Sequence, residues 1–348
     1  MDMKSNYRKL GDFIRPIDER NNDGSLGEDN LYGISVTKEF IPTHANLVGV
    51  TFDGYKTVSP RQFAYIPDTS RRGDKIAISL NLFGESIIVS SICSVFEIVD
   101  ESRLLPEYLM LWFKRPEFDR YARFMSNGSA REVFDWDCMC GVELPIPSIL
   151  EQKKIVGDYT AISQRIDLLN RINRNLLNQC EALYKKLTDE REFNGKFEDI
   201  AEISSGKRPD DLAPGNIPLL GAGGIMDYIS EYNYDVPSLV IGRVGTHGIV
   251  QRANRFWASD NTLVIITKYY EYAYQFLKRV DYDSLNRGST QPLITQGDLK
   301  KVEIYIPDDD DLQRYENAAG SIMQMYSRNE KEVALLTNMK EIIISHLC

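Results

Sequence analysis

Apolar residues recur at alternating spacings of four and three through residues 155–187, with one asparagine, Asn173, inside the series. Such a spacing keeps one stripe of a helix facing a partner helix. The same register returns 160 residues later, through residues 315–347, again with one asparagine, Asn329, and now also one lysine, Lys340. The two stripes predict two long helices that pack together. The predicted seam residues are Ile162, Ile166, Leu169, Asn173, Leu176, Leu183, Ile322, Asn329, Val333, Leu336 and Ile343.

The stripes belong to a longer internal repeat. Pairs separated by 160 residues include Gly128 and Gly288, Val142 and Val302, Leu144 and Ile304, and Pro147 and Pro307. A shared spacing through loop, strand, proline and helix predicts a duplicated half. The starts of the two halves, at Lys9 and Lys196, are further apart, so the first globular segment carries extra loop.

The fold class predicted from these patterns is α+β: two globular α/β segments joined by two long antiparallel helices, with a pseudo-two-fold internal repeat. The predicted bounds are 1–147 for the first globular segment, 148–192 for the central helix, 193–307 for the second globular segment and 308–348 for the terminal helix. Ser148, with Glu151 three positions on, has capping-box spacing and predicts the start of the central helix. In the first segment, strands are expected at 47–52, 63–66, 75–82 and 87–98, and helix at 106–124.

With full antiparallel overlap, Asn173 faces Asn329, and the two globular segments lie near opposite ends of the helix pair. A buried asparagine pair satisfies its own amides and penalises a slip in register. The alternative is that each asparagine only marks a hydrated position on its helix.

A second group of apolar residues lies on the two helices but off the predicted seam. Two helices alone cannot bury them, so they pack on the globular segments of this chain or receive helices of another protein. These residues are Leu168, Ile172, Leu177, Met325, Leu335, Met339 and Ile342.

The charge balance is acidic, with a net charge of −10 and a pI of about 5.0. DNA-binding domains usually have a basic footprint, so any such surface here must be local. We expect no membrane span, no signal peptide and no metal site, because the three histidines are far apart and the five cysteines lack zinc spacing. Free thiols and a cytoplasmic location are expected.

Two glycine-containing segments fall short of nucleotide-binding signatures. The run 221–224 lacks the third glycine of a dinucleotide fingerprint, and 206–208 lacks both the upstream glycine and the hydroxyl residue of a phosphate-binding loop. We therefore assign no catalytic residue and expect binding chemistry.

Basic and polar side chains in turn-rich segments are the candidate DNA contacts. Arg243, Thr246 and His247 lie in a loop punctuated by glycines, which let a backbone approach a ligand closely. The alternative for any one of these residues is a solvated surface side chain. The predicted DNA-binding set is Arg61, Arg71, Arg72, Lys75, Asn127, Arg131, Lys207, Arg208, Arg243, Thr246, His247, Arg287 and Gln291, with Gln62, Ser129 and Ser289 as further donors.

Four stretches carry a resemblance to a known family: 9–13 (KLGDF), 144–156 (LPIPSILEQKKIV), 237–248 (PSLVIGRVGTHG) and 257–262 (WASDNT). Together with the duplication, they resemble the DNA-specificity (S) subunit of Type I restriction–modification systems over almost the whole chain. The second half departs from the pattern at 308–311, where four aspartates replace Ser-Ile-Leu-Glu. This departure weakens the capping argument for the terminal helix but not the fold.

The resemblance implies two target-recognition domains, each reading one half of a bipartite, asymmetric site in double-stranded DNA, and helices that set the spacer. It implies two modification (M) subunits, which carry S-adenosylmethionine and the DNA-methylating site and dock on the off-seam apolar residues. Restriction (R) subunits would supply ATP- and Mg-dependent translocation and cleavage. This chain would itself be non-catalytic and hold no cofactor.

Two other functions remain open on the sequence. One is a scaffold whose helices recruit partners without DNA readout, and the other is an enzyme with an unrecognised site. Charge reversal at Arg243, Lys207 and Arg71 separates DNA recognition from scaffolding, whereas activity of the chain alone would indicate an enzyme.

Overall fold

The structure is a computed structural model that describes residues 7–43, 49–69, 75–126, 132–209, 213–245, 247–285 and 293–347. The chain forms two compact units. Unit 1 comprises residues 1–168 and 333–348, and unit 2 comprises 169–332. Each unit therefore contains one part of each long helix, and the division falls within the helices.

In the first part of the chain, the described residues form nine short strands, followed by three helices and a tenth strand. The strands are β1 (Tyr7–Lys9), β2 (Ile14–Ile17), β3 (Tyr32–Ile34), β4 (Phe40–Pro42), β5 (Lys56–Val58), β6 (Phe63–Ile66), β7 (Ala77–Leu80), β8 (Ile87–Val89), β9 (Ser94–Ile98) and β10 (Glu143–Pro145). The helices are α1 (Pro106–Phe113), α2 (Pro116–Met125) and α3 (Trp136–Cys140), and 3-10 turns span Leu10–Asp12 and Glu28–Asn30.

The second part begins with the long helix α4 (Ile149–Thr188). Its strands are β11 (Gly195–Lys196), β12 (Glu202–Ser205), β13 (Pro214–Gly221), β14 (Gly224–Ile229), β15 (Tyr234–Gly242), β16 (Val250–Ala258), β17 (Thr262–Ile266) and β18 (Glu303–Ile304). A 3-10 turn spans Phe197–Asp199, and the helices are α5 (Tyr270–Leu277), α6 (Tyr282–Leu285), α7 (Gln296–Lys300) and the long α8 (Asp309–Ser345).

Side-chain caps start both long helices. The backbone N–H and hydroxyl of Ser148 donate to the Glu151 carboxylate at 3.0 and 2.8 Å, and the Glu151 N–H donates back to the Ser148 hydroxyl at 3.3 Å. The predicted capping box is confirmed. At α8 the Asp308 carboxylate accepts the N–H of Asp311 at 2.8 Å. The capping argument from the sequence is weaker at this aspartate run, but Asp308 supplies a cap, because aspartate is itself a favoured N-cap residue.

Unit 1 is built on an antiparallel sheet of order β2-β9-β6-β7. Phe63 stacks on Phe96 at a centroid distance of 4.8 Å and meets Phe113 of α1 edge-on at 5.9 Å. Residues 108–113 of α1 are all buried, which explains why this helix is apolar on every face. The core extends to Tyr159 of α4 and Leu347 beyond α8, so the start of α4 and the end of α8 share one core.

Unit 2 is built on a six-stranded sheet of order β12-β17-β15-β16-β13-β14, in which only the β13–β16 pair is parallel among the described strands. Leu239, Val240 and Ile241 of β15 are consecutive and fully buried, so both faces of this strand are covered. The core on one face includes Tyr184 of α4 and Tyr315 of α8. The end of α4 thus packs with the start of α8, and the two helices run antiparallel.

The internal repeat is visible in matching contacts. The N–H of Leu10 donates to the carbonyl of Val142 at 2.8 Å in unit 1, and Phe197 donates to Val302 at 2.9 Å in unit 2. In each unit a tyrosine hydroxyl of the helix after the sheet, Tyr108 or Tyr272, then donates to a carbonyl near the last strand. The first and last described strands of each unit also form a short antiparallel pair, β1–β10 in unit 1 and β11–β18 in unit 2.

Several predicted elements differ from the observed ones. Residues 49–52 form no strand, and the rest of the predicted strand 47–52 lies outside the described residues. The predicted strand 87–98 is two strands, β8 and β9, and the predicted helix 106–124 is two helices that separate at Pro116. Proline lacks an N–H and fixes φ, so it starts a helix more readily than it continues one. No helix in the described ranges is both long and apolar enough to cross a membrane.

Candidate nucleic-acid interface

In unit 2 one turn, residues 258–262, connects the two predicted basic segments. The N–H groups of Gly206 and Lys207 donate to the carbonyls of Thr262 and Ala258 at 3.1 and 2.9 Å. On the other side of the turn, the N–H of Arg243 donates to the carbonyl of Asn261 at 2.9 Å. Lys207 and Arg243 are 36 residues apart in sequence, yet the same turn holds both backbones.

The Lys207 segment is held too closely for a side chain at position 206. A Cβ added to Gly206 would lie 2.1 Å from the carbonyl oxygen of Ser259 and 2.6 Å from that of Ala258. The indole Nε1 of Trp257 also donates to the Lys207 carbonyl at 2.7 Å. With its backbone fixed in this way, Lys207 has an exposed side chain, as does Arg208 beside it.

Arg243 sits at the end of β15 with its backbone fixed on both sides. Its carbonyl accepts the N–H of Ile294 at 2.9 Å and lies 3.4 Å from Nε2 of His247. The side chain is half-buried, and its Nε atom is buried with no hydrogen-bond partner among the described residues.

Three predicted contacts of unit 2, Thr246, Arg287 and Gln291, lie outside the described residues. The segment that follows two of them is nonetheless tied to the same site. Leu293 forms a β-bridge with Val244, and Gln296 Nε2 donates to the Ser205 hydroxyl at 2.8 Å.

In unit 1 the flanks of two predicted basic loops meet. Thr69 donates its N–H to the Glu132 carbonyl at 3.1 Å, and its hydroxyl donates to that of Ser126 at 2.8 Å. The loops between these flanks contain Arg71, Arg72, Asn127 and Arg131, which lie outside the described residues. Lys75, where the described chain resumes, is exposed.

Arg61, one of the predicted DNA contacts, is engaged by two carboxylates in the structure. Its guanidinium lies 2.7 Å from the Glu101 carboxylate and is also paired with Glu107. These carboxylates raise the pKa of Arg61 and offset its charge. Its neighbour Gln62 is buried and is likewise engaged, because it donates to Glu97 at 2.9 Å.

The sequence analysis did not predict a buried ionic group in unit 2. Arg252 of β16 pairs bidentately with Glu271 of α5 at 2.7 and 2.5 Å, and its guanidinium lies 3.8 Å from the ring centre of Tyr274. Glu316 of α8 accepts the N–H groups of Glu271 and Tyr272 at 3.1 and 2.7 Å. Burial raises the pKa of Glu316 to about 7. The group joins the sheet, α5 and α8, and no periodic pattern in the sequence signals it.

The predicted seam and docking residues differ in exposure. Every predicted seam residue is buried or half-buried. Of the predicted docking residues, Leu168, Met325, Leu335, Met339 and Ile342 are exposed, whereas Ile172 and Leu177 are half-buried.

Comparison with known proteins identifies the segment that contains the unit 2 site. Residues 192–332 match the family model of the Type I restriction modification DNA specificity domain. This segment of the chain is similar to a DNA specificity domain. The resemblance predicted from the sequence is therefore confirmed, and Lys207, Arg243 and the turn 258–262 all fall inside the specificity domain.

One curated relative and one solved structure illustrate the likeness. The specificity subunit of the Type I restriction enzyme EcoprrI from Escherichia coli is 26% identical over 133 residues, which are 34% of this chain and 33% of that protein. The chain thus matches about a third of the length of that relative. The crystal structure of the Type I restriction–modification S subunit from M. genitalium has a TM-score of 0.68 at 13% identity and covers 100% of this chain and 98% of its own. At that identity the likeness concerns the fold.

Proposed function

We propose that this chain is the non-catalytic DNA-specificity subunit of a Type I restriction–modification complex. Each globular unit reads one half of a bipartite, asymmetric site in double-stranded DNA, and the long helices fix the spacer between the halves. Modification subunits supply S-adenosylmethionine and methyl transfer, and restriction subunits supply ATP- and Mg-dependent cleavage. The complex acts in the cytoplasm.

The observation that carries the proposal is the shared turn inside the specificity domain. Lys207 and Arg243 are bonded through their backbones to residues 258–262, so their separation is set by main-chain hydrogen bonds. Arginine can contact guanine O6 and N7 or a phosphate bidentately, whereas lysine acts as a point charge. A lysine at a phosphate would position the protein on the DNA, and an arginine at a base edge would read the base sequence.

The acidic balance of the chain is compatible with this role. With a net charge of −10, the isolated chain supplies few phosphate contacts, and partner subunits supply the rest. The isolated chain should therefore bind DNA weakly, and its affinity should fall steeply with salt. Tight binding that is insensitive to salt would contradict this expectation.

The exposed apolar residues of α8 support docking of the modification subunits. Leu335, Met339 and Ile342 follow one another at spacings of four and three, so they share one helix face, and all three are exposed. An apolar helix face fits helices of a partner protein. The same face favours the second candidate function, a scaffold that recruits partners without reading DNA.

The experiment is methylome sequencing of a host that expresses this chain with its modification partner. A bipartite methylated motif supports the proposal. In the assembled complex, Arg243→Glu and Lys207→Glu should abolish methylation at that motif, whereas Lys301→Glu, an exposed lysine of the same unit, should not. If the complex assembles but DNA binding is unchanged in the two test variants, the scaffold is the better description. Methyl transfer by the chain alone would contradict its non-catalytic role.

A further inference from the structure

The outer strand of the unit 2 sheet has an unusual surface. Strand β14 pairs with β13 on one side, and no strand of the described residues pairs with it on the other. Its Ile225, Met226 and Tyr228 are 55%, 64% and 52% exposed. Unpaired backbone groups beside apolar side chains attract another strand, and proteins normally blunt such an edge with charge, a bulge or a covering segment. Here the β13–β14 pairing is irregular at 219–220 and Asp227 lies in the strand, but no described strand covers the outer edge.

The charge around this edge has one sign. The stretch 213–236 contains no lysine or arginine, but it contains three carboxylates: Asp227, Glu231 and Asp235. All three are exposed, and only Asp235 approaches a described cation, Arg255, at 4.0 Å. The apolar surface continues beside them with Tyr232 and Val236, which are also exposed.

This chemistry excludes two occupants. DNA phosphates would meet three carboxylates and one described cation, Arg255, which already contacts Asp235 and the ring of Tyr232, so the edge is not part of the DNA surface. A second copy of the chain paired edge to edge would bring together two strands that carry Asp227 and no basic residue, and like charges across a strand pair are destabilising. A strand that carries basic side chains satisfies the backbone, the apolar residues and the carboxylates together.

We infer that β14 is a docking edge that takes up an extended, basic segment of another protein as an additional strand. Main-chain hydrogen bonds to residues 224–229 provide the pairing. Ile225, Met226 and Tyr228 cover the apolar side chains of the incoming segment, and Asp227 and Glu231 select its basic ones. The inference does not depend on the DNA-reading role, because it uses the acidic and apolar side chains in and beside β14 and neither Lys207 nor Arg243.

The test uses the full chain and two blocked synthetic peptides, one of alternating valine and lysine and one of alternating valine and glutamate. By titration calorimetry at moderate salt, the lysine peptide should bind at least about tenfold more tightly than the glutamate peptide. Binding should also slow backbone amide exchange within residues 224–229. Equal binding of the two peptides, no binding of either, or unchanged exchange in β14 would overturn the inference.

A charge swap provides the matched control. Asp227→Lys combined with Glu231→Lys should reverse the preference toward the glutamate peptide. Glu198→Lys combined with Glu202→Lys makes the same change in charge near β12, the opposite edge of the same sheet, and should leave the preference intact. Thermal unfolding checks that both variants fold. Concentration-dependent dimers seen by sedimentation in the native chain and lost in the Asp227/Glu231 variant would instead assign the edge to a second copy and overturn the inference.

Discussion

The side-chain amide of Asn329 donates a hydrogen bond of 2.8 Å to the side-chain oxygen of Asn173. The Asn173 amide in turn donates to the Glu330 carboxylate at 2.9 Å, and Asn173 is buried. The pair predicted from the matched helix registers is confirmed. A polar pair inside an apolar seam favours one register, because any slip would leave both amides buried without partners.

Replacing the buried asparagine should weaken the helix pair. Asn173→Ala leaves the Asn329 amide and the Glu330 carboxylate without their partner, and the expected loss is about 1–3 kcal/mol in the free energy of unfolding. Asn175→Ala, at an exposed position of the same helix, is the control and should stay within about 0.5 kcal/mol of the native chain. Urea denaturation measures both. Equal stability of the two variants would show that the asparagine pair does not contribute to the free energy of unfolding.

The ion pair between Lys38 and Asp119 should contribute strongly to the stability of unit 1. Lys38 Nζ lies 2.6 Å from Asp119 Oδ1, and the lysine is buried. Lys38→Met leaves a largely buried carboxylate unpaired, so the free energy of unfolding should fall by about 3–5 kcal/mol.

Arg20→Met provides the comparison for that substitution, because Arg20 pairs with Asp18 on the surface. Exposed pairs contribute about 0–1 kcal/mol. Chemical denaturation of the two variants should therefore give clearly different midpoints. If the Lys38 variant is as stable as the Arg20 variant, the attraction within the buried pair only offsets the free-energy cost of desolvating its two charges.

Glu316 should make unit 2 less stable as pH rises. Burial raises its pKa from 4.5 in the unfolded chain to about 7 in the folded chain, with Glu271 adding repulsion and Arg252 opposing it. The folded state therefore binds the proton more tightly, and this stabilisation is full below pH 4.5 and lost as pH rises through about 7. Glu316→Gln should remove that part of the slope.

Denaturation at several pH values tests this dependence. The difference in unfolding free energy between the native chain and the Glu316→Gln variant should decline between pH 4.5 and about 7 and then level off. Glu192→Gln, at an exposed position, is the control and should leave the pH profile unchanged. Parallel profiles for the native chain and the Glu316 variant would exclude Glu316 as the source.

Gly206→Ala should disrupt the Lys207 segment, because the added methyl would overlap the Ser259 carbonyl. We expect at least about 1–3 kcal/mol of destabilisation and a tenfold or greater loss of DNA affinity in the assembled complex. Gly223→Ala, where a Cβ would meet nothing within 4 Å, is the control and should retain both properties. Thermal unfolding and fluorescence anisotropy measure them. Unchanged DNA binding by the Gly206 variant would show that this turn is not part of the DNA site.

The amino-acid sequence determined the features that depend on local periodicity or on its own duplication. These are the two long helices, the capping box at Ser148, the repeat of 160 residues and the pairing of Asn173 with Asn329. Helical spacing involves residues that are close together in the sequence, and matched registers involve equivalent positions of the two halves. Both can therefore be recognised without knowing the fold.

Only the tertiary structure decided which charged residues lie at the candidate site. Arg61 and Lys207 look alike in sequence, but Arg61 meets Glu101 and Glu107, whereas Lys207 has an exposed side chain beside the turn that also holds Arg243. The exposed edge at β14 and the Arg252–Glu271–Glu316 group depend on strand order and helix packing in the same way. Such contacts join residues distant in sequence, and their energy depends on burial and geometry that exist only once the chain has folded.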